Sequence, residues 1–204
     1  MDDLDRALGD ISSIRRQMAR TTEFRGYGPA TLAATGGIAL AAALAQELWL
    51  HNPAVHVLLY FGLWATTAGL SAGLICTQMI TRAQRVHSGM ADEMIRMAVE
   101  QFLPAAGAGA LATAVLIYRA PELAWILPGL WQVIFSIGVF SSCRFLPRLM
   151  LFAGGWYLAM GLAILSLGDN RALAPWTMGL AFGAGQLLVA AILAISAKES
   201  RYES

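Results

Sequence analysis

The feature that most constrains this chain is a pair of uncharged stretches separated by five residues. Residues 124–143 and 149–168 each contain 20 residues without a charge, and Arg144 and Arg148 lie between them. A helix needs about 20 mostly apolar residues to cross a hydrocarbon core of about 30 Å. Because residues 144–148 leave room only for a turn, the two stretches are predicted to form a hairpin of neighbouring, antiparallel transmembrane helices.

The chain as a whole is also rich in apolar residues and poor in charged ones. Of its 204 residues 57% are hydrophobic and only 13% are charged, whereas soluble domains carry about 25% charged residues. The expected fold is all-α, a polytopic membrane bundle in residues 26–197 with six transmembrane helices, at about 26–46, 57–81, 98–118, 124–143, 149–168 and 175–197. A short tail, 198–204, follows. The expected surroundings are the lipid bilayer, and a net charge of +1 does not favour nucleic acid as a partner.

The basic residues predict an orientation. Of the 14 Lys and Arg residues, only Arg119 and Arg171 fall in the connections assigned to the outer side, which leaves twelve on the inner side. Lys and Arg are concentrated in cytoplasmic loops. The prediction is therefore a multi-pass protein of the cell's inner (cytoplasmic) membrane with both termini in the cytoplasm.

Residues 1–25 are predicted to form an amphipathic cytosolic helix. Its apolar residues recur at spacings of three and four, which places them on one face, and its arginines follow, close to the first membrane helix. These residues are Leu4, Ile11, Ile14 and Met18 on the apolar face, with Arg15, Arg16 and Arg20. Two interpretations stay open: an interfacial helix held by anionic lipid, or a helix that docks a cytosolic protein or a second copy of the chain.

Small residues recur at one-turn spacing within several spans. Such stripes let helices approach closely, and close packing is what associates helices in lipid. The residues predicted to lie at helix contacts are Ala33, Gly37, Ala41, Gly69, Gly73, Gly155 and Gly183.

Glu100 is the ionisable residue predicted to lie nearest the interior of a span. Arg96 precedes it by one helical turn, and Pro104 follows by one turn and removes the hydrogen bond to the carbonyl of residue 100. One interpretation is a cation or proton site, since charges within membranes are usually functional. The other is an interfacial carboxylate neutralised by Arg96.

Nothing in the sequence predicts a catalytic, cofactor or metal site. Cys76 and Cys143 are not in metal-binding spacing. Glu47 and His51 are one turn apart, but Pro53 interrupts the helix before His56. The expectation is a protein without enzymatic activity, cofactor or metal.

Residues 14–24, which read IRRQMARTTEF, resemble the opening I-R-x-x-M-x-R-[ST]-[ST]-x-F of a family of uncharacterised bacterial membrane proteins. Glu23 stands where that family carries a basic residue. Members look like six-span proteins and are often encoded beside a winged-helix regulator. The resemblance implies a sensory or regulatory role and supplies no catalytic residues.

The expected function is therefore that of a non-enzymatic sensory, regulatory or scaffold protein that docks a partner. The alternative is a small transporter or ion pathway that uses Glu100 and the Gly-rich spans. An enzyme ranks last, because the sequence places no nucleophile beside a base and no pair of carboxylates on one face.

Overall fold

The computed structural model describes residues 28–86, 89–143 and 149–202, and over these residues the chain is helical, with short turns and no strand. Six α-helices follow one another: α1 (Pro29–Trp49), α2 (Val57–Val86), α3 (Gly89–Arg119), α4 (Leu127–Ser142), α5 (Met150–Leu165) and α6 (Pro175–Tyr202). Two 3-10 helices, Pro121–Ile126 and Asn170–Leu173, precede α4 and α6. The predicted amphipathic helix of residues 1–25 and the Arg144–Arg148 turn lie outside the described residues.

Within the described part of the chain, four stretches are long and apolar enough to cross a membrane: Pro29–Trp49, Val57–Thr81, Pro121–Ser142 and Pro175–Ser196. Two further apolar helices, Leu103–Arg119 and Met150–Leu165, are shorter. At 1.5 Å per residue, the 16 residues of α5 extend about 24 Å. The prediction of an all-helical, membrane-type chain is confirmed, and the number of six crossings stays a prediction.

Successive helices run in opposite directions. The backbone N–H of Gly28 donates to Oε1 of Gln78 at 2.9 Å, so the start of α1 lies beside the last third of α2. At the other end, Nε2 of Gln46 donates to the carbonyl of Leu173 at 2.7 Å. We call this second end the Pro53 end, which carries connections 50–56, 120–126 and 166–174, and the opposite one the Gly28 end.

The bundle has a tightly packed centre and two more peripheral helices. The closest partners are α1 with α6 and α4 with α5, and α5 also packs against α6. The peripheral helices α2 and α3 pack against α1 and α4 and contact each other little. The centre of the bundle is therefore made of α1, α4, α5 and α6.

Glycines make the central helix contacts close. A Cβ built on Gly129 would lie 2.8 Å from the carbonyl oxygen of Gly161, and one built on Gly161 would lie 2.8 Å from that of Gly129. Between α1 and α6, a Cβ on Gly36 would lie 3.0 Å from the carbonyl oxygen of Gly183. Only residues without a side chain permit this backbone approach.

Tryptophan side chains connect helices that neighbour in sequence. The indole N–H of Trp131 on α4 donates to Oγ1 of Thr113 on α3 at 2.7 Å. That of Trp156 on α5 donates to the carbonyl of Ala181 on α6 at 2.9 Å. Each bond satisfies a polar group that would otherwise be costly among apolar side chains.

Candidate functional site

The Pro53 end contains a buried amide that joins three elements. Gln46, near the end of α1, is 1% exposed. Its Nε2 donates to the Leu173 carbonyl at 2.7 Å, and its Oε1 accepts from the indole N–H of Trp64 at 2.8 Å. Because Leu173 ends the 3-10 helix Asn170–Leu173 and Trp64 belongs to α2, one side chain fixes α1 against both neighbours.

A second buried amide lies on α4. Gln132 has no exposed surface, and its Nε2 donates to the backbone carbonyl of Thr177 on α6 at 3.1 Å. The hydroxyl of Thr177 in turn lies 2.8 and 2.7 Å from the carbonyls of Ala172 and Ala174. These bonds hold the entry into α6 against α4.

Two polar atoms in this region are buried without a hydrogen-bond partner among the described residues. They are the hydroxyl of Tyr60 on α2 and Oε1 of Gln132. Tyr60 belongs to the apolar cluster of the Pro53 end, where its ring lies 5.2 Å from that of Phe61. Unpaired buried polar groups are uncommon in folded proteins, so this end of the bundle is polar in its interior as well as at its surface.

A pocket lies directly beyond these amides. We call it the Glu47 pocket; it encloses about 270 Å³ and is lined by Glu47, Leu50, His51, Pro53, Asn170, Ala174 and Pro175. One wall is the end of α1 and the connection after it, and the other wall is the start of α6 with its 3-10 helix. Gln46 precedes Glu47 and Leu173 precedes Ala174, so the Gln46–Leu173 hydrogen bond joins the two walls at their base.

A short charged loop borders the pocket. Gly168 adopts a φ of 70°, in the left-handed region that glycine enters without strain. Asp169 then caps the 3-10 helix: its carboxylate accepts from the backbone N–H and the Nε of Arg171, both at 2.9 Å. Hydrogen bonds from Arg171 hold the pKa of Asp169 below its usual range, and Asp169 raises the pKa of Arg171. Both side chains are exposed.

The residues predicted as a polar site lie elsewhere. Arg96 and Glu100 are one turn apart on α3, Glu100 is exposed, and Pro104 lies inside the same helix. The side chain of Arg96 is outside what the structure describes, so the proposed Arg96–Glu100 pair stays a prediction. The predicted docking residues, Leu4 to Arg20, are likewise outside the described part of the chain.

The predicted contact residues fall into two groups. Gly183 is buried on α6, where an added Cβ would lie 2.7 Å from Cδ2 of Leu40, and Ala33 packs beside the cluster at the Gly28 end. Ala41 is exposed. At the remaining positions an added Cβ meets nothing within 4 Å: Gly37, Gly69, Gly73 and Gly155. That this second group lies at helix contacts stays a prediction.

Sequence reasoning passed over the two buried amides. Gln46 was the last residue of a predicted span, and Gln132 was the one amide of another. The available signal was the residue type, because an amide inside an apolar span needs an interior partner. Glu47 and His51 were considered for a metal; among the described residues, no three His, Cys, Asp or Glu side chains are grouped so as to hold one.

Comparisons of the chain with protein-family models, with curated proteins and with solved structures give no match.

Proposed function

We propose that this chain is an integral membrane protein that crosses the bilayer six times and acts as a non-enzymatic sensory, regulatory or scaffold protein that docks a partner. The observation that carries this proposal is the use of its buried polar side chains. Gln46, Gln132 and Thr177 join helices and helix ends to each other, which suits a rigid platform.

The buried Ser, Thr and Gln side chains among the described residues are uncharged, and each donates to a backbone carbonyl, whereas the buried hydroxyls of Tyr60 and Tyr157 have no partner there. Thr35, Thr67 and Ser136 donate within their own helices. Gln46 and Gln132 donate to other elements, and Thr177 donates to the turn that precedes its helix. Ion and proton pathways usually carry charged groups near the middle of the membrane. This pattern therefore supports a structural platform over a conduit.

The packing of α5 supports six crossings. Although α5 is short, it lies between α4 and α6, and both of those belong to stretches long enough to cross a membrane. The two basic residues that were assigned to the outer side, Arg119 and Arg171, lie at the Pro53 end. We therefore infer that the Pro53 end faces away from the cytoplasm. Reporters fused after Ser204 are expected to be cytoplasmic and reporters inserted at 51–53 external; an external C-terminus would contradict the orientation.

The proposed docking element is the segment of residues 1–25, which ends three residues before α1 in the sequence. The Gly28–Gln78 hydrogen bond fixes the start of α1, and packing against α6 holds α1 in place along the helix. A partner bound to the apolar residues Leu4, Ile11, Ile14 and Met18 would thus be connected to the rigid centre of the bundle.

Site-specific photo-crosslinking tests the docking proposal. A photoreactive residue at Ile11 or Ile14, incorporated in intact cells, is expected to give a discrete protein adduct. The matched control is Ser13, which lies away from the apolar face in a helix of this register. The proposal fails if Ser13 gives the same adducts, or if Ile11 and Ile14 label only lipid.

A transport function is the second candidate, because Glu100 lies one turn before a proline inside α3. Proton and cation flux into liposomes decides between the two. We expect wild-type protein and Glu100→Gln to give the same flux as protein-free liposomes. Flux in the wild type that disappears in Glu100→Gln would instead establish the pathway.

A further inference from the structure

We propose that the Glu47 pocket binds a primary ammonium group. The inference goes beyond the docking function and does not depend on it, because the pocket lies at the end of α1 that is farther along the chain from residues 1–25.

The charge of the pocket favours a cation. Among the described residues that line it, Glu47 is the one that is formally charged. The nearest basic side chain along the chain, Arg171, already donates through Nε to both carboxylate oxygens of Asp169 and through an amino group to the carbonyl of Leu167. The guanidinium is thus paired within its own loop, and Glu47 supplies the formal charge among the described lining residues.

The hydrogen-bonding groups favour an ammonium with N–H donors. A primary ammonium carries three donors and no acceptor. Around the pocket, Glu47 offers carboxylate oxygens and Asn170 an amide oxygen. A quaternary ammonium would instead require aromatic faces, and no Phe, Tyr or Trp is among the described residues that line the pocket.

The volume of the pocket and its apolar residues indicate what the ligand carries besides the ammonium group. A volume of about 270 Å³ is below the roughly 300–1,000 Å³ of sites for drug-sized ligands. Leu50, Pro53 and Pro175 supply an apolar side. The pocket therefore fits a small amine with a short apolar chain, or the ethanolamine head group of a lipid, since the helices that form it are apolar enough to span a membrane.

The first experiment uses the full chain in phosphatidylcholine nanodiscs and n-butylammonium chloride as the probe. A ligand that binds only the folded state raises the thermal unfolding midpoint. We expect the midpoint to rise with butylammonium, and not with sodium chloride or tetramethylammonium chloride at equal ionic strength. An equal rise with tetramethylammonium would overturn the proposal, because it would show a non-specific cation effect.

Variants assign the effect to the pocket. Glu47→Gln is expected to weaken the response at least about tenfold, the loss of roughly one charge-assisted contact, and Asn170→Ala to weaken it less. Glu47 is exposed, so the variant's midpoint without ligand checks that it folds. The matched control, Glu122→Gln, removes an exposed carboxylate from the same end of the bundle and should respond like the wild type.

A second arm distinguishes the source of the ammonium. Nanodiscs that contain phosphatidylethanolamine, with no added amine, should raise the midpoint of the wild type but not of Glu47→Gln if a lipid head group is the ligand. A Glu47-dependent rise with butylammonium alone identifies a soluble amine. The absence of a Glu47-dependent response in both arms, or a response to zinc in place of ammonium, would overturn the proposal.

Discussion

The side chain of Gln46 on α1 and the backbone carbonyl of Leu173 before α6 are joined by a hydrogen bond of 2.7 Å between residues 127 positions apart. The same amide accepts the indole N–H of Trp64. One residue thus satisfies a donor and an acceptor that belong to two other elements, at the base of the Glu47 pocket.

Replacement of Gln46 by Met, which has a similar volume, is expected to destabilise the bundle by about 1–3 kcal/mol. The reason is that the Trp64 indole and the Leu173 carbonyl would both be buried without a partner. The estimate is not higher, because a chain unfolded within the membrane finds other partners for such groups. Unfolding by SDS in bicelles measures it. Thr66→Val, which removes an exposed hydroxyl bonded only within α2, should change stability little; an equal loss in both variants would contradict the assigned role.

A double-mutant cycle isolates the contact itself. Trp64→Phe removes the indole donor, and Gln46→Met removes its acceptor. Because the two residues share one hydrogen bond, the double variant should lose less than the sum of the single variants, by about 0.6–2 kcal/mol. Strictly additive losses would show that the two side chains stabilise the bundle independently.

The close contact between α4 and α5 predicts that two glycine substitutions on α5 change stability differently. Gly161→Ala places a Cβ 2.8 Å from the Gly129 carbonyl oxygen, so the helices must separate, at a cost of about 1–3 kcal/mol. Gly155→Ala on the same helix meets nothing within 4 Å, so its stability should be unchanged or slightly higher because alanine favours helix. The same bicelle unfolding experiment compares them, and equal stability of the two variants would refute the close approach.

The helices could be predicted from the sequence because apolar length alone specifies them in lipid. Their ends were less predictable. The second span was predicted to end at residue 81, whereas α2 continues to Val86. Ser88 and Gly89, with Asp92 and Glu93 in the first turn, predict a helix start that continues into the third span, and α3 does begin at Gly89. Once helix has formed, nothing in residues 82–86 or 89–97 interrupts it, since they contain neither proline nor an internal glycine. Apolar patterning marks where a helix enters lipid and not where its hydrogen bonds stop.

The buried face of each helix was harder to predict than the position of the helix in the sequence. On α1 the prediction named Ala33, Gly37 and Ala41, whereas the side buried in this chain is the neighbouring one, with Leu32, Thr35, Gly36, Ala39, Ala42 and Gln46. A helix surrounded by lipid carries small or apolar residues on every side, so periodicity does not select a face as it does in water. The buried amide of Gln46 is the residue that would have identified the correct side.

The loop at Asp169 predicts a dependence on pH. Its pKa is lowered in the folded chain by Arg171, so the contact contributes stability above the unfolded value of about 3.9, and this contribution is lost as the pH falls through the folded value. Asp169→Asn should therefore lower the unfolding midpoint slightly at pH 6, and its difference from the wild type should shrink as the pH falls below about 3.9. Glu122→Gln serves as the control; a difference between Asp169→Asn and wild type that does not change with pH would assign the effect to the cap rather than to charge.

The last prediction concerns the exposed small-residue face of α2. A Cβ on Gly69 or Gly73 meets nothing within 4 Å in this chain, so Gly69→Ala and Gly73→Ala should leave the unfolding midpoint of the detergent-solubilised monomer unchanged. The positive control is Gly185→Ala, where the new Cβ would lie 2.5 Å from the Tyr157 hydroxyl oxygen. A lower midpoint for Gly69→Ala or Gly73→Ala would mean that this face packs against another helix after all. Cys76, exposed one turn further along the same face, then tests for a second copy, because oxidation would link two chains whose α2 helices lie side by side.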